Sequence, residues 1–328
     1  MRIFSGIQPT GRKHLGNLIG AIDQYVLGQD RGEALYCIVD LHATTVPYDA
    51  AELRERTYDT AAILLAAGLD PERCVFFRQG DVMEHTELCW LLCSVTSWGD
   101  LNRMHQFKEK AGNERELVSA GLFLYPVLQA ADVLAYRAHE VPVGDDQRQH
   151  IELMRDIAER FNGRFGETLV VPEHRIPEIG ARIMDLQKPT MKMSTTGGSE
   201  QGTVHVLDEP AKILKKFKSA VTDSGSEVVR GEGKEGIANL IDIYAAVRGI
   251  SQDEVEAEFA DSRYGDFKVA VAEAVIDKVT PIQERYAELR PDEAALEAAF
   301  ARGAEKAQAI AGETLAAVRE AMGVGPRS

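Results

Sequence analysis

The sequence predicts a doubly wound, mainly parallel α/β sheet followed by a helical domain. Two observations carry this reading. Short apolar runs alternate with helical patterns through the first half of the chain, and strand-like runs stop after about residue 180. Alternation of this kind builds a parallel sheet, because each crossover helix carries the chain back to start the next strand in the same direction.

The predicted strands are Arg2–Gly6, Leu35–Val39, Cys74–Arg78, Glu140–Val143 and Thr168–Val171. Between the first two, Leu15, Leu18, Ile19, Ile22 and Val26 recur at helical spacing and share one face. In the second half, Gly236–Val247 and Phe267–Leu289 read as helices, the latter interrupted or kinked at Pro281. Ser251 stands three residues before Glu254, a capping-box pattern that opens another helix. Pro291-Asp292-Glu293 starts a last helix reaching about Met322, and the tail is expected to fray. The stretch 188–202, rich in Pro, Thr, Ser and Gly, reads as a mobile loop. The expected organisation is therefore a doubly wound, Rossmann-like domain over 1–187, that loop, and a helical domain over 203–328.

Composition narrows the class. Of the 328 residues, 45% are apolar and 27% charged, as in soluble globular proteins. No apolar run approaches the roughly 18 residues of a membrane span, and the N-terminus lacks the regions of a signal peptide. A cytoplasmic location is expected. Cys37, Cys74, Cys89 and Cys93 read as buried thiols, because a metal site needs further ligands and only His85 stands near. A net charge of −15 argues against broad affinity for nucleic acid. An RNA partner then requires local basic surface, for which Arg103–Lys110 and Lys212–Lys218 are the available segments.

Two loops carry the chemistry. The first strand runs into Gly6-Ile7-Gln8-Pro9-Thr10-Gly11-Arg12-Lys13-His14-Leu15-Gly16-Asn17, with a helix starting near His14. A helix N-terminus offers unpaired N–H groups and the positive end of the dipole to phosphate. Gly16 leaves room for a flat base or ribose, and His14 and Asn17 can donate to anionic oxygens. Ordinary tight turns use glycine too. The second loop is Lys192-Met193-Ser194-Thr195-Thr196-Gly197-Gly198-Ser199, where a lysine could close over a triphosphate and neutralise a departing pyrophosphate. Alone it reads as a plain interdomain linker. Neither G-x-G-x-x-G nor a Walker sequence is present.

Taken together, His14-Leu15-Gly16-Asn17 resembles the HIGH signature of class I aminoacyl-tRNA synthetases, and Lys192–Thr196 resembles their KMSKS signature. Phe4–Gly11, Tyr125–Asp132, Val141–Gln147 and Gly180–Met184 are similar to segments of the bacterial tryptophanyl-tRNA synthetases, so the resemblance spans essentially the whole chain. It implies an ATP site formed by Gln8, Pro9, Thr10, Gly16, Asn17, Gly144, Asp145, Asp146, Ile183, Lys192, Met193, Ser194, Thr195 and Thr196. It implies catalytic charge stabilisation by His14, Asn17 and Lys192, with Mg2+ accompanying ATP. It also implies that Asp132 accepts the indole N–H. That role has a physical basis, since a carboxylate in the apolar helix Leu122–Tyr136 is costly to bury unpaired and a substrate N–H supplies a partner. A capping or salt-bridged aspartate is the alternative.

Phe4, Gly6, Val39, His42, Val141 and Val143 lie in or just after strands and are expected to wall the indole pocket. Tyr125 and Gln147 match residues that hold the amino group, and Gln129 stands where some relatives carry Met. The resemblance further implies adenylation of tryptophan, transfer to tRNA(Trp), anticodon reading by the helical domain, and a homodimer. One departure stands out: Thr195 replaces the second KMSKS lysine, and Lys110 is the expected substitute. A tyrosine-specific ligase, a HIGH-type nucleotidyltransferase and a non-catalytic tryptophan- or RNA-binding paralogue are the rival readings.

Overall fold

Strand β1 (Arg2–Ile7) lies at the centre of a five-stranded, all-parallel sheet. The strand order is β3-β2-β1-β4-β5, with β2 spanning Glu33–Ile38, β3 Val75–Arg78, β4 Glu140–Pro142 and β5 Glu173–Arg175. The computed structural model describes residues 1–104, 118–144, 147–175, 182–194 and 198–325. Chain order reverses direction between β1 and β4, which creates a crevice outside the carboxyl ends of the strands.

Strands β1, β2 and β3 are buried on both faces, whereas the edge strand β5 is largely exposed. Ala34, Tyr36 and Ile38 of β2 enter one apolar cluster, and Leu35 and Cys37 enter the other. Continuous apolar runs, rather than strict alternation, are what such doubly covered strands require. The first predicted helix forms over 15–28, labelled α1; it passes through a π-helical segment, Leu18–Ile22, before Asp23–Gly28. Leu15, Leu18, Ile19 and Ile22 are buried as expected, whereas Val26 is half-buried.

One strand prediction fails. Thr168–Val171 forms no ladder; Asn162 Oδ1 accepts from the amides of Thr168 and Leu169, and its Nδ2 donates to the Leu169 carbonyl. That side chain takes the backbone partners a strand would need, and pairing with β4 begins only at Glu173. The thiol prediction is also half wrong: Cys37 and Cys74 are buried, but Cys89 and Cys93 are half-buried.

Helices Glu235–Arg248, Gln252–Glu258, Tyr264–Leu289 and Glu293–Met322 follow, and the Ser251–Glu254 capping box is present. Tyr264–Leu289 continues through Pro281 without a break. No helix among the described residues is long and apolar enough to cross a membrane. The last helix does not stay with the other helices. Leu296 and Phe300 enter one cluster, and Ala304, Ala307, Ala311, Leu315 and Val318 enter the other, so the helix crosses the β3 edge of the sheet.

Candidate functional site

The predicted site residues that the structure describes lie mainly at and beyond the carboxyl ends of the strands. His14 caps α1: its Nδ1 accepts from the Asn17 amide at 3.3 Å, and Asn17 Oδ1 accepts from the His14 amide at 3.1 Å. Because Nδ1 accepts, the proton of the neutral ring sits on Nε2, which can donate outward. Burial drives the His14 pKa down to about 3, helped by the positive charges expected at His205, Lys13 and Lys192. The imidazole is therefore neutral at physiological pH. An added Cβ at Gly16 would stand 3.1 Å from His14 Cε1 and Nδ1 and 3.6 Å from Ile183 Cβ. The room predicted beside Gly16 is thus bordered by the protein's own His14 ring and Ile183.

The approach to this helix is held by Lys13, which donates from Nζ to the carbonyls of Gln8 (2.6 Å) and Thr10 (3.3 Å). Burial, reinforced by Arg56, pushes its pKa down to about 7. Gln8 and Thr10 are exposed, and Pro9 is buried.

The two signatures meet through backbone pairing. His14 bridges His205 antiparallel, with Leu15 N donating to Val204 O and Val206 N to Lys13 O. Met184 bridges Lys192, and Met193 N donates to Ile183 O. Ile183, which borders Gly16, is thereby tied to the second loop. Met193 is buried, Lys192 exposed, and the Ser194 carbonyl accepts from Thr203 Oγ1. The predicted mobile loop is tied at its start by Asp185, whose Oδ1 accepts from Gln187 N and Lys188 N and whose amide donates to Met191 O, and at its end by Leu186, whose amide donates to Gly202 O. Thr195, Thr196, Asp145, Asp146 and Lys110 lie outside the described residues.

Asp132 departs most from expectation. It is 2% exposed, but its carboxylate already has three protein partners. Oδ1 accepts from Gln79 Nε2 at 2.6 Å and His85 Nδ1 at 2.6 Å; Oδ2 accepts from His42 Nε2 at 2.8 Å. Burial pushes its pKa up, but His42 and His85 outweigh that and hold it below the usual carboxylate range. The unpaired carboxylate inferred from the helix pattern is therefore corrected. The partners come from segments following β2 and β3, which helix periodicity cannot reveal.

Of the other predicted pocket residues, Tyr125 is linked to this group through His42. The Tyr125 ring meets His42 edge-on, and its hydroxyl bonds His150 Nε2 at 2.8 Å. A Cβ on Gly6 would stand 2.8 Å from Val39 Cγ1, so the exposed backbone of Gly6 forms the crevice floor beside Val39. Gln129 Nε2 donates to Gln147 Oε1 at 3.4 Å. Val141 is buried and Val143 half-buried, its amide bonded to Arg175 O; Gly144 O accepts from Gln147 N. Phe4 stacks on Tyr136 at 5.4 Å and is 2% exposed, so it supports the floor from within the core.

Sequence reasoning missed Gln79, Tyr136, His150 and His205, and weighed His85 only as a metal ligand. For Gln79 the signal was positional, since it follows β3 just as His42 follows β2. The second basic segment also proves partly internal. Lys216 is buried against Asp208 at 2.7 Å, and Lys212 pairs with Glu200 and Asp208, which leaves Lys215 and Lys218 as the exposed cations. In the first basic segment, Arg103 pairs with Asp100, and His105, Lys108 and Lys110 lie outside the described residues. No group of three or more His, Cys, Asp or Glu among the described residues could hold a metal ion.

The family model for class I tRNA synthetases (W and Y) matches residues 1–279. The chain is 50% identical to tryptophan–tRNA ligase 2 of Streptomyces avermitilis over 329 aligned positions, covering 99% of this chain and 97% of that one. Its fold is similar to the tryptophanyl-tRNA synthetase structure from Mycoplasma pneumoniae, with a TM-score of 0.93, 32% identity, and coverage of 99% and 98%. It is also similar to the Campylobacter jejuni tryptophanyl-tRNA synthetase structure complexed with ADP and tryptophan. There the TM-score is 0.81 and the identity 34%, over 99% of this chain and 100% of that one.

Proposed function

This chain belongs to the class I tRNA synthetases of the tryptophan and tyrosine group, and we propose that the crevice above the sheet is where it activates tryptophan. Its activity is that of a tryptophan–tRNA ligase. One tryptophan carboxylate oxygen attacks the α-phosphorus of ATP, the bond to the β-phosphate breaks, and pyrophosphate leaves. A hydroxyl of the terminal tRNA adenosine, the 2′ in class I enzymes, then attacks the adenylate carbonyl, and AMP departs. No covalent enzyme intermediate is needed, so the protein works by positioning and electrostatics. Mg2+ arrives as part of the Mg-ATP substrate.

The carrying observation is the backbone pairing that brings His14, Gly16 and Asn17 beside the segments on either side of the Lys192 loop. In this reading His14 Nε2, Asn17 Nδ2 and Lys192 face the phosphates, and Gln8, Pro9, Thr10, Gly144 and Ile183 hold the nucleotide together with Asp145, Asp146 and the loop 193–196. Tryptophan lies over Gly6 and Val39, with its indole N–H on Asp132 and its amino group toward Tyr125 and Gln147. Helices beyond residue 203 read the anticodon. An apolar cavity of about 540 Å³ between Trp98, Phe123, Leu124 and Val127, with Trp98 72% exposed, supports pairing with a second copy. A cytoplasmic location belongs to the same reading.

Amino-acid-dependent ATP–pyrophosphate exchange tests it. Tryptophan should support exchange and tyrosine should not, and Asp132→Ala should lose tryptophan-dependent exchange far more than ATP affinity. Exchange driven equally well by tyrosine would overturn the specificity. Lys192→Ala should abolish adenylate formation. If Lys110→Ala then left it unchanged, Lys110 would not be the substitute for the missing second lysine.

A further inference from the structure

Behind Asp132 runs a buried chain of donors that the established activity does not assign. A carboxylate can only accept, so His85 donates from Nδ1 to Asp132 Oδ1 and His42 donates from Nε2 to Oδ2. The other nitrogen of His85, Nε2, lies 2.5 Å from the Tyr136 hydroxyl. In a neutral ring that nitrogen is an acceptor, so Tyr136 donates to it. Tyr136 is fully buried between Phe4 and Phe77, and burial keeps its hydroxyl protonated. Gln79, also fully buried, donates to the same Oδ1.

An ionised carboxylate has about four acceptor positions. Among the described residues three are filled, two on Oδ1 and one on Oδ2, which leaves one acceptor position on Oδ2. We propose that His85, locked by Tyr136 and seconded by Gln79, is a positioning residue that fixes the Asp132 carboxylate so that this one open position faces the amino-acid ring. Specificity for a ring N–H then depends on residues that never touch the substrate. The inference rests on the reading that Asp132 receives the indole N–H. It deepens that reading by naming what selects the orientation. A freely rotating carboxylate could take a water or a phenol hydroxyl as readily. A held one penalises any ring that leaves its single vacancy unmatched.

The test compares tryptophan with 3-(benzothiophen-3-yl)alanine, in which sulfur replaces the ring N–H. The readout is the ratio of their kcat/KM values in ATP–pyrophosphate exchange, measured on the full chain. Wild type should favour tryptophan strongly. Tyr136→Phe keeps the ring but removes the donor, and should lower the ratio about tenfold; His85→Leu should lower it about a hundredfold. His85→Asn, which can return an N–H to Asp132, should recover much of the loss, and KM for ATP should stay put in all three. A ratio unchanged in Tyr136→Phe and His85→Leu, with both substrates weakened alike, would make the chain merely structural and overturn the proposal. If wild type itself failed to discriminate, the indole role of Asp132 would fall first, which separates the two failures.

Discussion

Gly303 of the last helix rests directly on the backbone of Phe76 in β3: a Cβ added there would stand 1.7 Å from the Phe76 carbonyl oxygen. This contact sits where the helix crosses from one apolar cluster to the other, between Phe300 and Ala304. In an open helix, replacing Gly by Ala stabilises by roughly 0.5–1 kcal/mol. Here the clash is with a strand backbone that has no rotamer to change, and the helix must lift off the sheet edge. Gly303→Ala should therefore destabilise by about 3 kcal/mol, by analogy with overpacked cores. Urea denaturation measures it, and a stabilised variant would contradict the packing described.

The pH behaviour of His14 follows from its burial. Its folded pKa, about 3, lies below the 6.5 of an unfolded histidine. Between these values the unfolded chain binds more protons, so stability rises with pH there. This contribution is fully present above pH 6.5 and is lost as pH falls toward 3. His14→Gln should flatten the acid limb of the stability profile. Direct NMR titration should find the imidazole neutral at pH 5, and a midpoint near 6.5 would refute its burial.

Asp208 and Lys216 form a buried ion pair, each 1% exposed, beside the His14–His205 bridge. Burial raises the Asp208 pKa, but Lys216, the His205 amide and Lys212 outweigh it and bring it to about 2. That stabilisation is present above the ordinary carboxylate pKa near 3.8 and lost as pH falls through 2. Removing Asp208 leaves the buried Lys216 only the Thr203 carbonyl and the exposed Glu200 carboxylate at 3.7 Å, so Asp208→Asn should cost about 3 kcal/mol at neutral pH. The paired replacement Asp208→Asn with Lys216→Met should recover part of this in a double-mutant cycle. Simple additivity would show that the two groups do not interact.

Gly16 predicts a kinetic phenotype. Alanine there presses on the His14 ring at 3.1 Å. The capping box with Asn17 must then shift, and with it the Nε2–H assigned to the phosphates. Gly16→Ala should lower kcat for exchange about tenfold or more while tryptophan binding, followed by fluorescence quenching of wild type and variant alike, changes little. Equal loss in both would point to general misfolding.

Several features were legible in the linear order of residues. Four of the five strands, the capped helix at His14, the Ser251 capping box and the last helix all follow from local patterns of period and capping. Local pattern failed where a side chain from elsewhere intervened. Asn162 took the backbone partners of Thr168 and Leu169, and His42, Gln79 and His85 converged on a carboxylate that looked unpaired.

From the chain alone came the doubly wound topology, the two signature loops and Asp132 as a residue of special cost. These depend on spacing and residue type, which one dimension preserves. Tertiary structure alone decided that the last helix belongs to both faces of the sheet, that Lys216 turns inward, and that Asp132 is held by three donors. Apart from the short-range Lys216–Asp208 pair, those relationships join residues tens to hundreds of positions apart. They exist only once folding closes the loops between them, so no local period or motif carries their trace.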